Sequence, residues 1–459
     1  MKRNNQLTEG SISQALIKLA LPIMGTSFVQ MAYNMTDMIW IGRVGSSAVA
    51  AVGTAGFFTW LAFAFILIPK IGAEVGVAQS TGRKDIKEAK RYIRHTLQLV
   101  VFLALLYGSG LILFRKSLID FFNLGNPQIH EMATSYLVIV SFGMVFYFIN
   151  PVFTGILNGY GNSRTPFMLN VVGLLTNMFL DPMLILGIGP FPALGVKGAA
   201  IATVIAQFIV TCCFVYNIIK VKGELFDKIN LLERPDLEHM KSIVRLGIPA
   251  ALQSGLFTIF AMVLARIIAQ WGPVPIAVQK IGSQIEAISW MTASGFSTAI
   301  SAFVGQNYGA GKWQRIQKGY YVSLQIVGVI GLIATSLLIF AARPIFTIFL
   351  PEADAIAYGV VYLRILGLSQ LFMCIEIATA GAFNGLGKTV PPSIIGISFN
   401  ALRIPLALIL SSGSLLGLNG VWWSISMTSV LKGVLLTTWF IALLRKESYK
   451  SLDKDVQLT

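Results

Sequence analysis

Leu19-Ala-Leu-Pro22, in the first apolar stretch of the chain, returns 227 residues later as Leu246-Gly-Ile-Pro249. Gln79-Ser-Thr-Gly82 returns at the same offset as Gln306-Asn-Tyr-Gly309. Further along, Asn158-Gly-Tyr-Gly161 matches Asn384-Gly-Leu-Gly387 at an offset of 226. Asn177 and Pro182 match Asn400 and Pro405 at 223, and Gly195 with Gly198 match Gly417 with Gly420 at 222. Loop insertions and deletions produce a drift of this size. Residues 1–220 and 240–459 therefore read as two copies of one design, joined by 221–239, whose Asp227, Glu233, Arg234, Pro235, Asp236 and Glu238 make the one long polar stretch between apolar blocks.

The copies are made for lipid. The chain is 55% hydrophobic and 12% charged, with a mean hydropathy of +0.73. Its apolar runs reach the roughly 20 residues that cross a bilayer core of about 30 Å. Twelve spans are expected, near 13–40, 48–79, 91–114, 133–158, 164–186, 194–220, 240–270, 275–305, 318–341, 357–384, 390–411 and 417–444. Continuous apolar runs, rather than short alternating strands, exclude an outer-membrane barrel. Met1 to Asn5 is basic, but the apolar run behind it is full length and has no persuasive cleavage site, so it is expected to remain as the first span.

A net charge of +15 raises the possibility of nucleic acid, and the placement of the charge argues against it. Twenty-four basic residues fall on alternate loops: Lys2, Arg3 and Lys18, the cluster Arg83 to Arg94, Arg164, Lys220 to Arg245 (including Lys222 and Lys228), Lys312 to Lys318, Lys388, and the tail from Arg445. The opposite loops hold five: Arg43, Arg115, Lys116, Lys197 and Arg343. By the positive-inside rule both termini are expected in the cytoplasm, with the protein in the cytoplasmic membrane and some attraction to anionic lipid. Six spans per half make the two repeats parallel, related by an axis along the membrane normal, an arrangement found in secondary transporters.

Cys212, Cys213 and Cys374 lie inside expected spans and are read as buried thiols. His95, His130 and His239 are scattered at span ends and suggest no metal cluster. Ionisable groups at membrane depth carry more information, because each costs roughly 2.5–3.5 kcal/mol at a helix centre. Asp37 stands late in span one, in Asn34-Met-Thr-Asp-Met-Ile-Trp-Ile-Gly-Arg43. Asp181 follows Asn177 by one helical turn, which puts the amide and the carboxylate on one face. The repeat offsets take Asp37 to Leu264 and Asp181 to Ile404, so the same fold is satisfied by hydrocarbon in the second half. Two buried acids with an amide and a hydroxyl nearby either hold a monovalent cation or share a proton.

These stretches, together with Gly195-Val-Lys-Gly-Ala-Ala-Ile-Ala-Thr203 and Gly305-Gln-Asn-Tyr-Gly-Ala310, resemble the prokaryotic MATE (multidrug and toxic compound extrusion) transporters over essentially the whole of 13–444. The resemblance implies an all-α integral membrane protein: twelve transmembrane helices in two parallel six-helix repeats forming a V-shaped bundle. Residues 1–220 would be the N-lobe, 221–239 a cytoplasmic linker and 240–459 the C-lobe. It implies export of organic cations and other drugs against Na+ or H+, with no cofactor and no enzymatic step. Carried over by position, the cation site would comprise Asp37, Asn177, Asp181, Thr203 and the carbonyl of Ala199, with Asp37 as the switch. Gln253-Ser-Gly-Leu-Phe-Thr258 has no acidic residue where NorM-like members carry one in span seven, so the chain looks closer to the DinF-like branch.

Gln30, Tyr33, Met35, Phe153, Phe257 and Met291 are candidates to line a cleft for flat lipophilic cations through stacking and cation–π contacts. In the second half Lys280, Glu286, Glu376 and Arg403 fall inside spans and are expected to form a C-lobe polar network. Lys70 and Glu74 are spaced to pair along one helix at its cytoplasmic mouth. The expected partners are small lipophilic cations and membrane lipid, not nucleic acid, and the expected state is a monomer. A lipid or lipid-linked oligosaccharide flippase of the same superfamily would share the architecture, but acidic residues in the N-lobe suit cations.

Overall fold

The computed structural model describes residues 7–122, 124–221, 225–227, 229–349, 352–413 and 415–457; Lys2, Arg3, Lys222 and Lys228 lie outside them. Among the described residues there are fourteen helices and no strand. They are α1 (Ile12–Gly42), α2 (Ser46–Gly82), α3 (Ile86–Asp120), α4 (Pro127–Phe142), α5 (Met144–Tyr160), α6 (Arg164–Leu186) and α7 (Val196–Val221), then α8 (Leu237–Ala269), α9 (Pro273–Gly309), α10 (Trp313–Phe340), α11 (Ala342–Phe349), α12 (Ala353–Gly385), α13 (Val390–Leu410) and α14 (Leu418–Gln457). Eleven are long and apolar enough to cross a membrane, and the bent pair α4 and α5 passes the same measure only when taken together, for up to twelve spans.

That pair departs from the expected continuous span at 133–158. The helix breaks at Gly143 with a bend of 52°. A Cβ at Gly143 would lie 2.6 Å from Val204 Cγ2, so α7 approaches the break too closely for any side chain. The short α11 is a second element outside the expected spans. At 37 residues each, α2 and α9 run about 55 Å at 1.5 Å per residue, well past the hydrocarbon core.

Local chemistry sets several helix starts. Asp85 caps α3 by accepting the Glu88 N–H at 2.9 Å, and Asn126 caps α4, which opens on Pro127, by accepting the Gln128 N–H at 2.9 Å. Asp236 Oδ1 accepts the Glu238 N–H at 3.0 Å where α8 begins. The repeated glycines are explained by contact. A Cβ on Gly198 would sit 2.1 Å from the Leu184 carbonyl, and one on its counterpart Gly420 would sit 2.2 Å from that of Leu410. Each closes the same α-helical corner in its own half, since small residues let helix backbones meet in lipid.

The chain divides into two compact units that cut across the sequence halves. One is built from Gly25–Ala251, the other from Leu252 onward together with α1 as far as Met24. Thus α1 and α8 each begin in one unit and end in the other. In the first unit, α2 lays Ala48, Ala51, Ala55, Ala62 and Ile66 against Phe148, Val152 and Ile156 of α5. In the second, Phe296, Ile300 and Phe303 of α9 pack with Ala378, Ala382 and Phe383 of α12, and Phe440 lies 4.5 Å from Tyr320 and 4.8 Å from Phe383, ring to ring.

Residues just before α1 and α8 are fastened in matching ways. In the second unit the Arg315 guanidinium donates to the carbonyls of Leu7, Glu9 and Gly10, and Asn307 Nδ2 also donates to Leu7. In the first, Gln98 Nε2 donates to the carbonyls of Leu231 and Glu233, and Arg94 pairs with the Glu233 carboxylate. The His239 ring bridges Asp236 and Glu88, each at 3.0 Å, and stacks on His95. The linker is thus docked on α3 through Leu231, Glu233 and Asp236. Of the three cysteines only Cys374 is buried; Cys212 is exposed on α7, so the expectation of three buried thiols fails there, because position 212 falls on the outward face of that helix.

Candidate cation site

Three helices of the first unit supply the acids and their partners. Asp37 is on α1, Asn177 and Asp181 are one turn apart on α6, and Ala199 and Thr203 are one turn apart on α7. Asn177, Asp181 and Ala199 are fully buried. Pro182 follows Asp181 without an N–H, so the Met178 carbonyl loses its helical partner beside the acid.

The geometry joins them. Asn177 Nδ2 donates to Asp181 Oδ1 at 3.1 Å, and Thr203 Oγ1 donates to Asp37 Oδ2 at 3.5 Å. The two carboxyl groups are close enough to act on one another electrostatically, and the Asn177 amide acts on both. Tyr33 OH donates to the Thr203 carbonyl at 3.4 Å, which ties α1 to α7 beside the acids. Asp37 Oδ1, Asp181 Oδ2 and Asn177 Oδ1 are buried with no hydrogen-bond partner. A buried acceptor left unpaired costs about 1–3 kcal/mol. Three in one cluster, all oxygen and two of them carboxylate, form a donor set for a hard monovalent cation, or for a proton held between the acids.

Tyr136 of α4 is a further member. Its buried phenol stands in the electrostatic field of both acids and reaches Thr203. Nothing in Ser135-Tyr-Leu137 distinguishes it from an ordinary core tyrosine, so sequence carries no signal for it.

Of the residues expected to line a cleft, Tyr33 belongs to the acid cluster. Gln30 and Met35 are exposed on α1, Phe257 is exposed on α8, and Met291 is half-buried on α9. Phe153 is buried and stacks on Phe214 with ring centres 5.3 Å apart, so it serves as packing between α5 and α7. Glu74, expected as one of a solvated pair, is buried at 5% exposure, while the Lys70 ammonium stands 5.9 Å from the Phe63 ring centre.

The second unit holds a separate polar network. Glu286 accepts from Tyr362 OH at 2.5 Å and from Gln370 Nε2 at 2.9 Å. Arg403 donates to Thr428 at 3.0 Å and Ser429 at 2.9 Å, and Lys432 pairs with Glu376 at 3.1 Å, both nearly buried. Lys280 is exposed on α9 and has none of the bonds that join this network. Lys432 takes the place of the cation expected from Lys280. The signal for it is present in the sequence, as an ammonium inside the apolar run of 421–444.

Comparison with known proteins identifies the family of the chain. The chain is 30% identical over 453 residues to the probable multidrug resistance protein NorM of Thermotoga maritima, covering 96% of each. It is 27% identical to the protein of the same name from Agrobacterium fabrum, over 95% of this chain and 94% of that one. A crystal structure of MATE in the bent conformation superposes with a TM-score of 0.89 at 24% identity, covering 98% of this chain and all of that one. The MatE family profile matches residues 22–183 and 249–409, one segment in each repeat. The chain belongs to the MatE family of membrane transporters.

Proposed function

We propose that the protein is a secondary active antiporter that exports lipophilic organic cations, drugs among them, in exchange for Na+ or H+. The observation that carries this reading is the cluster of three unpartnered buried oxygens on Asp37, Asp181 and Asn177. Two carboxylates side by side in a medium of low dielectric repel each other, and a bound cation or shared proton halves the charge of the pair. Binding therefore stabilises the arrangement that brings α1, α6 and α7 together around it. An organic cation that takes up the Asp37 charge competes for the same anion, which couples the two flows. The relatives named as multidrug resistance proteins support the drug side of the exchange.

A ligand shifts a conformational equilibrium only by its difference in affinity for the two states. The ion supplies that difference, and inward movement of one charge adds about 2.3 kcal/mol per 100 mV. With no acidic residue in 253–258, the coupling on this reading belongs to the first unit, as expected of a DinF-like member. The glutamates of the second unit are held by neutral donors or by Lys432 and hold their helices together. Both termini lie in the cytoplasm on this reading.

The test is efflux of a fluorescent organic cation from vesicles containing the purified chain, with sodium and pH gradients imposed separately. One of the two gradients drives efflux if the reading is right. Efflux indifferent to both overturns it.

A further inference from the structure

The acid cluster lies toward one end of its helices, and a cation that binds there has to reach water on the far side. Two series of polar residues run away from the site at one-turn intervals. On α7 they are Thr203, Gln207 and Thr211; on α5 they are Asn150, Thr154 and Asn158. Each series spans eight residues, about 12 Å of helix, with its members on one face. They are joined in the middle. Asn150 Nδ2 donates to the Gln207 side-chain oxygen at 2.8 Å and to its carbonyl at 2.9 Å, and Thr211 Oγ1 donates to Asn150 Oδ1 at 2.8 Å.

From Thr203, whose hydroxyl touches Asp37, the rungs descend through Gln207 and Asn150 to Thr154 and Asn158. The drop is about 18 Å in steps of about 6 Å, a gap that one or two waters bridge. Asn158 is 2% exposed, and its Oδ1 has no hydrogen-bond partner. It lies two residues from the end of α5. Beside it Gly155 and Gly159 seat against the backbones of Lys70 and Glu74 in α2, so the lower end of the series adjoins a charged turn.

The second half provides an internal control. The offset of 226 takes Asn150 to Glu376, and 222 takes Gln207 to Ser429 and Val210 to Lys432. The same place in the fold is there closed by the ion pair of Glu376 and Lys432. Three of the other rungs are missing, since Thr154 becomes Ala380, Thr203 becomes Ile425 and Thr211 becomes Gly433, while Asn158 is kept as Asn384. The half that lacks the two acids thus lacks an unbroken ladder.

We infer that Thr203, Gln207, Asn150, Thr211, Thr154 and Asn158 form a hydrated path along which the coupling cation passes between the acid cluster and the cytoplasm. This rests on the antiport reading above. Neutral oxygens suit the task, because they replace water around a cation without holding it as a carboxylate does.

The test uses the full chain with Cys212, Cys213 and Cys374 replaced, in vesicles exposing the cytoplasmic face. Thr154→Cys, Gln207→Cys and Thr211→Cys are treated with a small water-soluble cationic thiol reagent. Val210→Cys, in the core, and Phe208→Cys, on the exposed side of α7, are the references. The three rungs are expected to react at least roughly tenfold faster than either reference. Thr211→Val is expected to slow ion-driven efflux about tenfold while leaving cation affinity unchanged, and Thr211→Ser to restore it. Labelling of the rungs no faster than Val210→Cys, with gradient-driven efflux intact, overturns the path alone. Gradient-independent efflux in the unaltered chain overturns the antiport reading instead.

Discussion

At the scale of single residues, the account rests on Asp37 and Asp181 standing where the second repeat has Leu264 and Ile404. Asp37→Asn removes the exchangeable charge and is expected to reduce drug efflux at least tenfold at normal membrane expression; full efflux would refute the switch role. Thr203→Val deletes one weak hydrogen bond to Asp37. With such bonds worth about 0.5–1.5 kcal/mol, cation affinity should fall roughly two- to tenfold, measured as the ion concentration for half-maximal efflux. In the second unit Lys432→Met leaves the Glu376 carboxylate buried without its cation, which costs about 3–5 kcal/mol, while the double change with Glu376→Gln recovers most of that loss in thermal unfolding. Equal stability in the single and double variants would contradict the pairing. The acids were legible because charge in an apolar run needs a reason. Tyr136 was not, since its role is set by helices distant in sequence.

At the scale of elements, helix existence was read from apolar length, and breaks were not. The interruption at Gly143 depends on contact with Val204 of α7, a neighbour that an apolar window does not reveal. Gly143→Leu is therefore expected to destabilise the protein by about 1–3 kcal/mol, seen as a lower unfolding temperature in detergent. No change would mean that α7 does not close on the break. Linker docking was equally hidden, although each polar residue of 225–239 was visible. Asp236 caps α8, and its bonds from the Glu238 N–H and from His239 hold its carboxyl below the usual aspartate range. A depressed folded-state value gives stabilisation that is complete above the unfolded value near 3.9 and is lost as pH falls through the folded one. Asp236→Ala removes the acceptor and should give faster amide exchange at Glu238 at neutral pH; unchanged exchange would show that the cap is not needed.

At the scale of the whole molecule, a duplicated six-span design supplies two frames, and on the proposed reading function follows from what is placed in only one of them. The repeat was legible from recurring glycine and proline motifs, because close helix contacts such as those of Gly198 and Gly420 constrain both halves alike. The division of the chain within α1 and α8 was not legible, because each is a single unbroken apolar run. By the positive-inside rule both termini are expected in the cytoplasm, and reporter fusions at each end should be active there; an external reporter at either end would reverse the proposed direction of transport. The most direct test is equilibrium binding of Na+, and of protons by release on drug addition, to the purified chain and to Asp37→Asn/Asp181→Asn. Saturable binding of one ion type in the unaltered chain, absent from the folded double variant, is the predicted result; undiminished binding in that variant would contradict it.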